Sequence, residues 1–185
     1  MDNHSPLLKT VFDGWDGYHR SIVNAIAPRT REELLWRPAP DLRSVGELAA
    51  HIALGRLDWF QRMNAPGSAQ LAEKIANGRG PGDAIRETDI AESASALVHW
   101  LEITWGMIEK TLSQWTVADL AKTYPHTYWG TTYAVSHQWT IWRIMTHDVH
   151  HGGQLSMMLY SQGIDIPELG DLGGHLTDPP LVEES

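Results

Sequence analysis

Cysteine is absent from all 185 residues, which removes disulfides, thiolate metal ligands and a cysteine nucleophile together. Any metal chemistry in this chain must therefore rest on imidazole and carboxylate. Basic residues are also scarce: 14 Lys and Arg against 23 Asp and Glu give a formal charge of −9, and no three basic residues adjoin. That balance argues against nucleic acid or an anionic membrane as a partner. No window approaches 18 uncharged apolar residues, so no membrane span is expected. The start, Met-Asp-Asn-His-Ser-Pro, has neither the basic nor the apolar segment of an export signal, and a cytoplasmic location is the expectation. Phenylalanine occurs twice but tryptophan nine times. Because indole carries an N–H that needs a partner, several tryptophans are expected at a cleft or an interface as well as in the core.

What is present is helical periodicity, in a length suited to one domain. Ser5-Pro6 reads as a helix start, followed by Leu8, Val11, Trp15, Tyr18, Ile22 and Ile26 at three- and four-residue spacing up to Ala27. His19 lies beside that stripe and reads as a boundary residue bonded at the rim. Thr30 to Glu33 and Ser44 to Glu47 have the form of capping boxes. The second opens helix two, with Val45, Leu48, His51 or Ile52, Gly55 and Trp59 facing inward. From Ala65 to Thr88 the pattern fails around six Gly and Pro residues, with one helical turn at Leu71 to Ala76, and a crossover loop is expected. Helix three begins after Asp89 and runs from Ile90 to Trp115, with His99 on its solvent side. Residues 116–135 alternate around Gly130 and predict an irregular loop or small hairpin, with His126, Tyr128 and Trp129 read as surface turn residues, the mouth of a site being the alternative. Helix four spans about Ser136 to Gln162 and stops at Gly163. The fold class is thus all-α, a four-helix bundle over residues 1–163 with a crossover loop and a hairpin insertion before the last helix. Residues 164–185, rich in Gly and Pro and containing His175, form a loop-rich tail.

On helix four, Thr140, Ile144, His147, His151, Leu155 and Met158 share one face. His147 and His151 are one turn apart, about 40° around the axis, which is the spacing of a chelating pair. His51 faces inward on helix two. Burying three such rings without partners would cost on the order of 1 to 3 kcal/mol each, and a shared divalent metal removes that penalty. Imidazole suits zinc first, with nickel, iron or copper as alternatives, and three nitrogens leave an open position for water or substrate. His150 turns about 100° away from His151, towards the flank. Asp148 is the candidate catalytic residue, Gln154 a candidate for orienting a ligand or bound water, and Arg143, one turn before His147, a candidate for holding a substrate carboxylate. A second apolar face of helix four, Trp142, Met145, Val149, Gly152, Ser156 and Tyr160, predicts a further neighbour or a second subunit. No glutamate is followed three residues later by histidine, so the carboxylate-bridged di-iron bundle is excluded. His147-Asp148-Val149-His150-His151 approaches the zincin motif, with an aspartate in place of the glutamate base.

Trp36-Arg37-Pro38, Ser44-Val-Gly-Glu-Leu-Ala-Ala-His51 and His147-Asp-Val-His-His-Gly-Gly-Gln154, in that order and at that separation, resemble the DinB-like (YfiT-type) metalloprotein superfamily across residues 5–163. The resemblance implies a bundle of up-down-down-up topology, often a homodimer, with zinc, nickel or a related ion on the histidines at positions 51, 147 and 151. It also implies a metal-dependent transferase or isomerase that uses a low-molecular-weight thiol as co-substrate against a small-molecule electrophile. The basic residue usual after the last histidine is Gly152 here. A metallohydrolase and a non-catalytic metal- or ligand-binding module are the alternatives.

Overall fold

Short polar signals start the long helices. In the computed structural model, which describes residues 7–76 and 85–170, both expected capping boxes form. Thr30 Oγ1 accepts from the Glu33 amide while Glu33 accepts from the Thr30 amide, opening α3 (Arg31–Leu35). Ser44 and Glu47 do the same for α4 (Val45–Arg62). Each box satisfies two helix-end donors that have no intrahelical partner. Ser136 caps the last long helix, α8 (His137–Tyr160), by accepting from the Trp139 amide. That helix ends at Tyr160, three residues before Gly163, which is left-handed at φ 75°.

The expected first helix is two. α1 (Leu8–Val11) ends at Phe12, and α2 (Trp15–Ile26) begins after Gly14, which sits at φ 94°. Left-handed backbone there is easy for glycine alone. The break lets the Leu8 amide bond to the Trp115 carbonyl and Leu7 bridge Thr116, tying the chain start to the end of α7 (Ala94–Gln114). Val11 is consequently more than half exposed, although its spacing suggested burial. The expected cap at Ser5-Pro6 lies outside the described residues.

Within the crossover, α5 (Ser68–Ala76) is longer than the single turn expected, and residues 77–84 lie outside the described set. A separate turn, α6 (Glu87–Ile90), precedes α7, which therefore starts four residues later than Ile90. α6 lies against the first turn of α4, where Gly46 faces the Ala91 carbonyl so closely that any Cβ would collide with it. After α7 come a 3-10 turn (Val117–Ala121) and an antiparallel hairpin, β1 (Thr123–Tyr128) with β2 (Thr131–Ser136), paired from Thr123↔Ser136 to Tyr128↔Thr131. Its two turn residues, Trp129 and Gly130, both have positive φ, as a tight hairpin turn requires. The tail does not begin as plain loop: α9 (Pro167–Gly170) packs on α2 and α8, burying Ile166 and Leu169. The remaining tail, with His175, is outside the described residues.

Helices α2, α4, α7 and α8 share one core, and α4 packs on both α7 and α8. Ile52, Phe60, Leu101, Ile108, Ile141 and Ile144 are fully buried within it, each worth about 1.5 to 3 kcal/mol of removed apolar surface. Of the second apolar face of α8, Gly152 and Ser156 pack inward, whereas Trp142 and Val149 are exposed.

A buried polar network crosses this core. Arg56 on α4 and Asp148 on α8 are both fully buried. The Arg56 Nε lies 3.0 Å from Asp148 Oδ2 and the guanidinium Nη2 2.9 Å from the same oxygen. Trp15 Nε1 donates to that oxygen at 2.9 Å. Arg56 Nη1 donates to His19 Nδ1 at 3.3 Å, and the His19 ring stacks on Trp105 at 4.9 Å. His19 is therefore a core residue, 2% exposed, and not the rim histidine that its place beside the stripe suggested. Burial, followed by the Arg56 charge, holds its pKa down to about 3.

Candidate metal centre

Three imidazoles from two helices meet above this core. His51 comes from α4, and His147 and His151 come from successive turns of α8. Their donor atoms lie within 4.8 Å of one another, and all three side chains are partly exposed. His147 Nε2 is 3.1 Å from His51 Nε2, and the His151 ring centroid is 4.8 Å from that of His51 and 4.3 Å from that of His147. Space for this convergence is made by Gly55, one turn after His51: an added Cβ would stand 3.1 Å from His147 Cε1.

The far nitrogens fix the rings. His51 Nδ1 donates to Glu87 Oε1 at 2.7 Å, and that carboxylate is also gripped by Arg43 at 2.7 and 3.1 Å. His151 Nδ1 donates to Gln154 Oε1 at 2.7 Å. These bonds select the tautomers that leave Nε2 lone pairs facing inward. His147 Nδ1 is buried without a hydrogen bond, its nearest carboxylate oxygen being Asp148 Oδ1 at 3.9 Å.

That arrangement provides a test of fit for a cation. If His147 carries its proton on Nδ1, towards Asp148, two Nε2 lone pairs oppose each other at 3.1 Å. If it carries the proton on Nε2, a bare Nδ1 lone pair faces a carboxylate. An electron-pair acceptor between the Nε2 atoms resolves both conflicts, and ligands about 2.0 to 2.1 Å from a tetrahedral ion stand roughly 3.4 Å apart. Burial lowers the pKa of His151 to about 4, and burial lowers that of His51 against the opposing pull of Glu87. Both rings are thus neutral, the form that ligates metal.

With this geometry in view, the comparisons decide the family. A family model described as the DinB superfamily matches residues 18–155. The chain belongs to the DinB superfamily. Solved structures agree in fold. A DinB-like protein from Bacillus cereus ATCC 10987 aligns with TM-score 0.64 at 18% identity, over 89% of this chain and 98% of that one. A conserved protein from Enterococcus faecalis gives 0.63 at 17% identity, over 83% and 96%. A DinB-like protein from Bacillus subtilis gives 0.57 at 15%, over 84% and 94%. No curated protein sequence matches.

The other candidate residues of this DinB-superfamily chain fall in different places. Gln154 bonds to His151. Asp148 does not reach the cleft: it is fully buried, and both its oxygens are held by Arg56, with Trp15 on one of them. Burial alone would raise its pKa, but the Arg56 charge and the hydrogen bonds to it prevail and lower it. Its position suits orienting His147 from behind, not exchanging protons with a ligand. Arg143 places its guanidinium over Trp59 at 4.6 Å and Trp139 at 5.3 Å. His150 is exposed on the flank, its ring 4.8 Å from that of His151. Gly152 abuts the Tyr18 hydroxyl, which bonds the Val149 carbonyl, so a long basic side chain has no room there. Glu87 was missed by sequence reasoning. Its one signal is Gly46, a glycine in the first turn of a helix, where another segment can approach closely.

Proposed function

We propose that this chain is a divalent-metal-binding bundle of up-down-down-up topology that activates a low-molecular-weight thiol for attack on a small electrophile. The observation that carries the metal reading is the convergence of the His51, His147 and His151 Nε2 atoms, with Glu87 and Gln154 fixing two rings from behind. Zinc is the first expectation, with nickel and iron next. A divalent ion held there lowers the pKa of a bound thiol, so that a nucleophile forms at neutral pH without a protein cysteine.

The surrounding carboxylates favour a thiol over water as the reacting species. Hydrolysis calls for a free general base beside the site, but Glu87 is committed to Arg43 and His51, and Asp148 to Arg56 and Trp15. Thiol transfer needs no such base. The sulfur–carbon bond forms as the carbon–leaving-group bond breaks, the leaving group takes the electron pair, and the thiol proton passes to solvent. His51, His147 and His151, all partly exposed, would hold the ion at which the thiol is activated.

Metal analysis of the protein as purified, and of His51→Ala and His147→Ala variants, tests the site: about one ion per chain is expected in the parent and none in either variant. Metal retained by both variants would sink the assignment. A panel of low-molecular-weight thiols against alkylating and unsaturated electrophiles tests the reaction, and product release that needs no thiol would point to a metallohydrolase instead. We also propose a homodimer, covering the exposed Trp142, Val149 and Met157 on one side of α8. Sedimentation should give twice the chain mass, and Val149→Arg should return it to a single chain.

A further inference from the structure

A cavity lies beside the histidine cleft, between the hairpin and α8. It measures about 500 Å³ and is walled by Trp59, Trp139, Tyr128, Tyr133 and His126, with Arg143 on its border. That volume is in the range of small-molecule sites. The walls are held together by their own contacts: Trp59 packs on Trp139 at 5.6 Å and on His126 at 5.1 Å. His126 and Tyr128 line this cavity, whereas Trp129 stands 91% exposed at the hairpin tip.

Arg143 sets the chemistry. Each of Arg20, Arg29, Arg31, Arg37, Arg43 and Arg56 faces a carboxylate, as do Arg62 and Arg86. Among the described residues Arg143 faces none. Its guanidinium carbon lies over two indoles, 4.6 Å from the Trp59 centroid and 5.3 Å from that of Trp139, contacts that hold the fork in place. A free, pre-oriented fork is the group that pairs two-pronged with a carboxylate. The same residue also lines the shallow groove that contains Trp142, His147 and His150, so one side chain joins the aromatic cavity to the histidine cleft. From Arg143 to His147 is one helical turn, about 6 Å along the axis.

We propose that this cavity binds an aromatic carboxylate, the ring stacked among Trp59, Trp139 and the hairpin tyrosines and the carboxylate paired with Arg143. Where the chain acts on such a molecule, the aromatic end anchors here and the reacting end lies a turn away at His147. This second statement rests on the metal and thiol reading above; the binding site itself does not.

The test is an NMR titration of metal-free protein with phenylacetate, phenylacetamide and cyclohexylacetate. Phenylacetate should bind at least tenfold more tightly than the other two, one lacking the charge and the other the aromatic face. Arg143→Gln should abolish the preference for carboxylate over amide, and Trp59→Leu the preference for phenyl over cyclohexyl. Arg31→Gln, whose guanidinium is paired with Glu92 and does not line the cavity, should change neither by more than twofold. Equal affinity for acid and amide, or a preference that survives Arg143→Gln, overturns the proposal. So does an affinity that falls as protein concentration rises, which would mean that a second copy covers the cavity. His147→Ala separates the two readings: phenylacetate binding should persist in that variant even though its metal is lost.

Discussion

Glu87 and Asp148 each lie beside a site histidine, yet their surroundings give them different work. Glu87 is about one-quarter exposed and makes equally short contacts, 2.7 Å, with the His51 ring and with Arg43; burial raises its pKa, but Arg43 and His51 lower it further, and it stays ionised. Removing it frees the His51 ring to turn and to change tautomer. Glu87→Ala should weaken metal binding 10- to 100-fold and shift the stability of metal-free protein by less than about 1 kcal/mol, because the lost Arg43 pair is partly solvated. Asp148 has no exposure and sits against an equally buried guanidinium. Asp148→Ala leaves Arg56 charged and unpaired in the core and should lower stability by about 3 to 5 kcal/mol. Competition with a chelator and chemical denaturation of both variants separate the roles; a Glu87→Ala protein with parental metal affinity would remove Glu87 from the site.

The elements are placed by small residues as much as by large ones. α8 approaches α2 where Gly152 meets Tyr18, α4 meets α6 where Gly46 meets Ala91, and His147 crosses α4 over Gly55. Gly152→Ala would drive a methyl into the Tyr18 ring and hydroxyl, and overpacking of that kind costs roughly 1 to 3 kcal/mol. Its melting midpoint should fall, with partial recovery when Tyr18→Phe removes the nearest atom; an unchanged midpoint would show that α2 and α8 can separate freely. These contacts mark the limit of what the sequence could tell. Caps and stripes are local, so Ser44, Glu47, Gly163 and the face shared by His147 and His151 were legible from residues a few positions apart. The break at Gly14 was not, because it follows from the pairing of Leu8 with Trp115, more than a hundred residues on. Nor was the delivery of Glu87 to His51, since α6 takes its position from a gap at Gly46 and not from any periodicity of its own.

At the scale of the whole molecule, the core is joined by a polar network whose members lie far apart in the chain: Arg56 is 37 residues from His19 and 92 from Asp148, and Trp15 is 133 from Asp148. No pattern in the sequence announces such a network, and His19 looked like a boundary residue because only its own helix could be read. Its burial has a consequence for the stability of the whole fold. Four charged groups bear on the ring: Arg20 on its own helix, Arg56 on α4, Glu102 on α7 with an oxygen 3.5 Å from Nε2, and Asp148 on α8. Burial and Arg56 prevail, so the folded chain keeps His19 neutral down to about pH 3, whereas the unfolded chain protonates it near pH 6.5. Between those values the unfolded state binds the extra proton, and stability must fall as pH falls, by up to about 1.4 kcal/mol per pH unit. Above pH 6.5 the contribution is level. Denaturation of metal-free protein at pH 7, 6, 5 and 4 should therefore show a steady loss, reaching about 3 kcal/mol from this residue at pH 4. His19→Gln, which keeps a neutral polar group opposite Arg56, should flatten the profile by that amount, while acid loss from the carboxylates remains common to both proteins. Parallel profiles would mean that the His19 pocket opens and admits a proton well above pH 3, and that the network is looser than its buried Arg56–Asp148 centre implies.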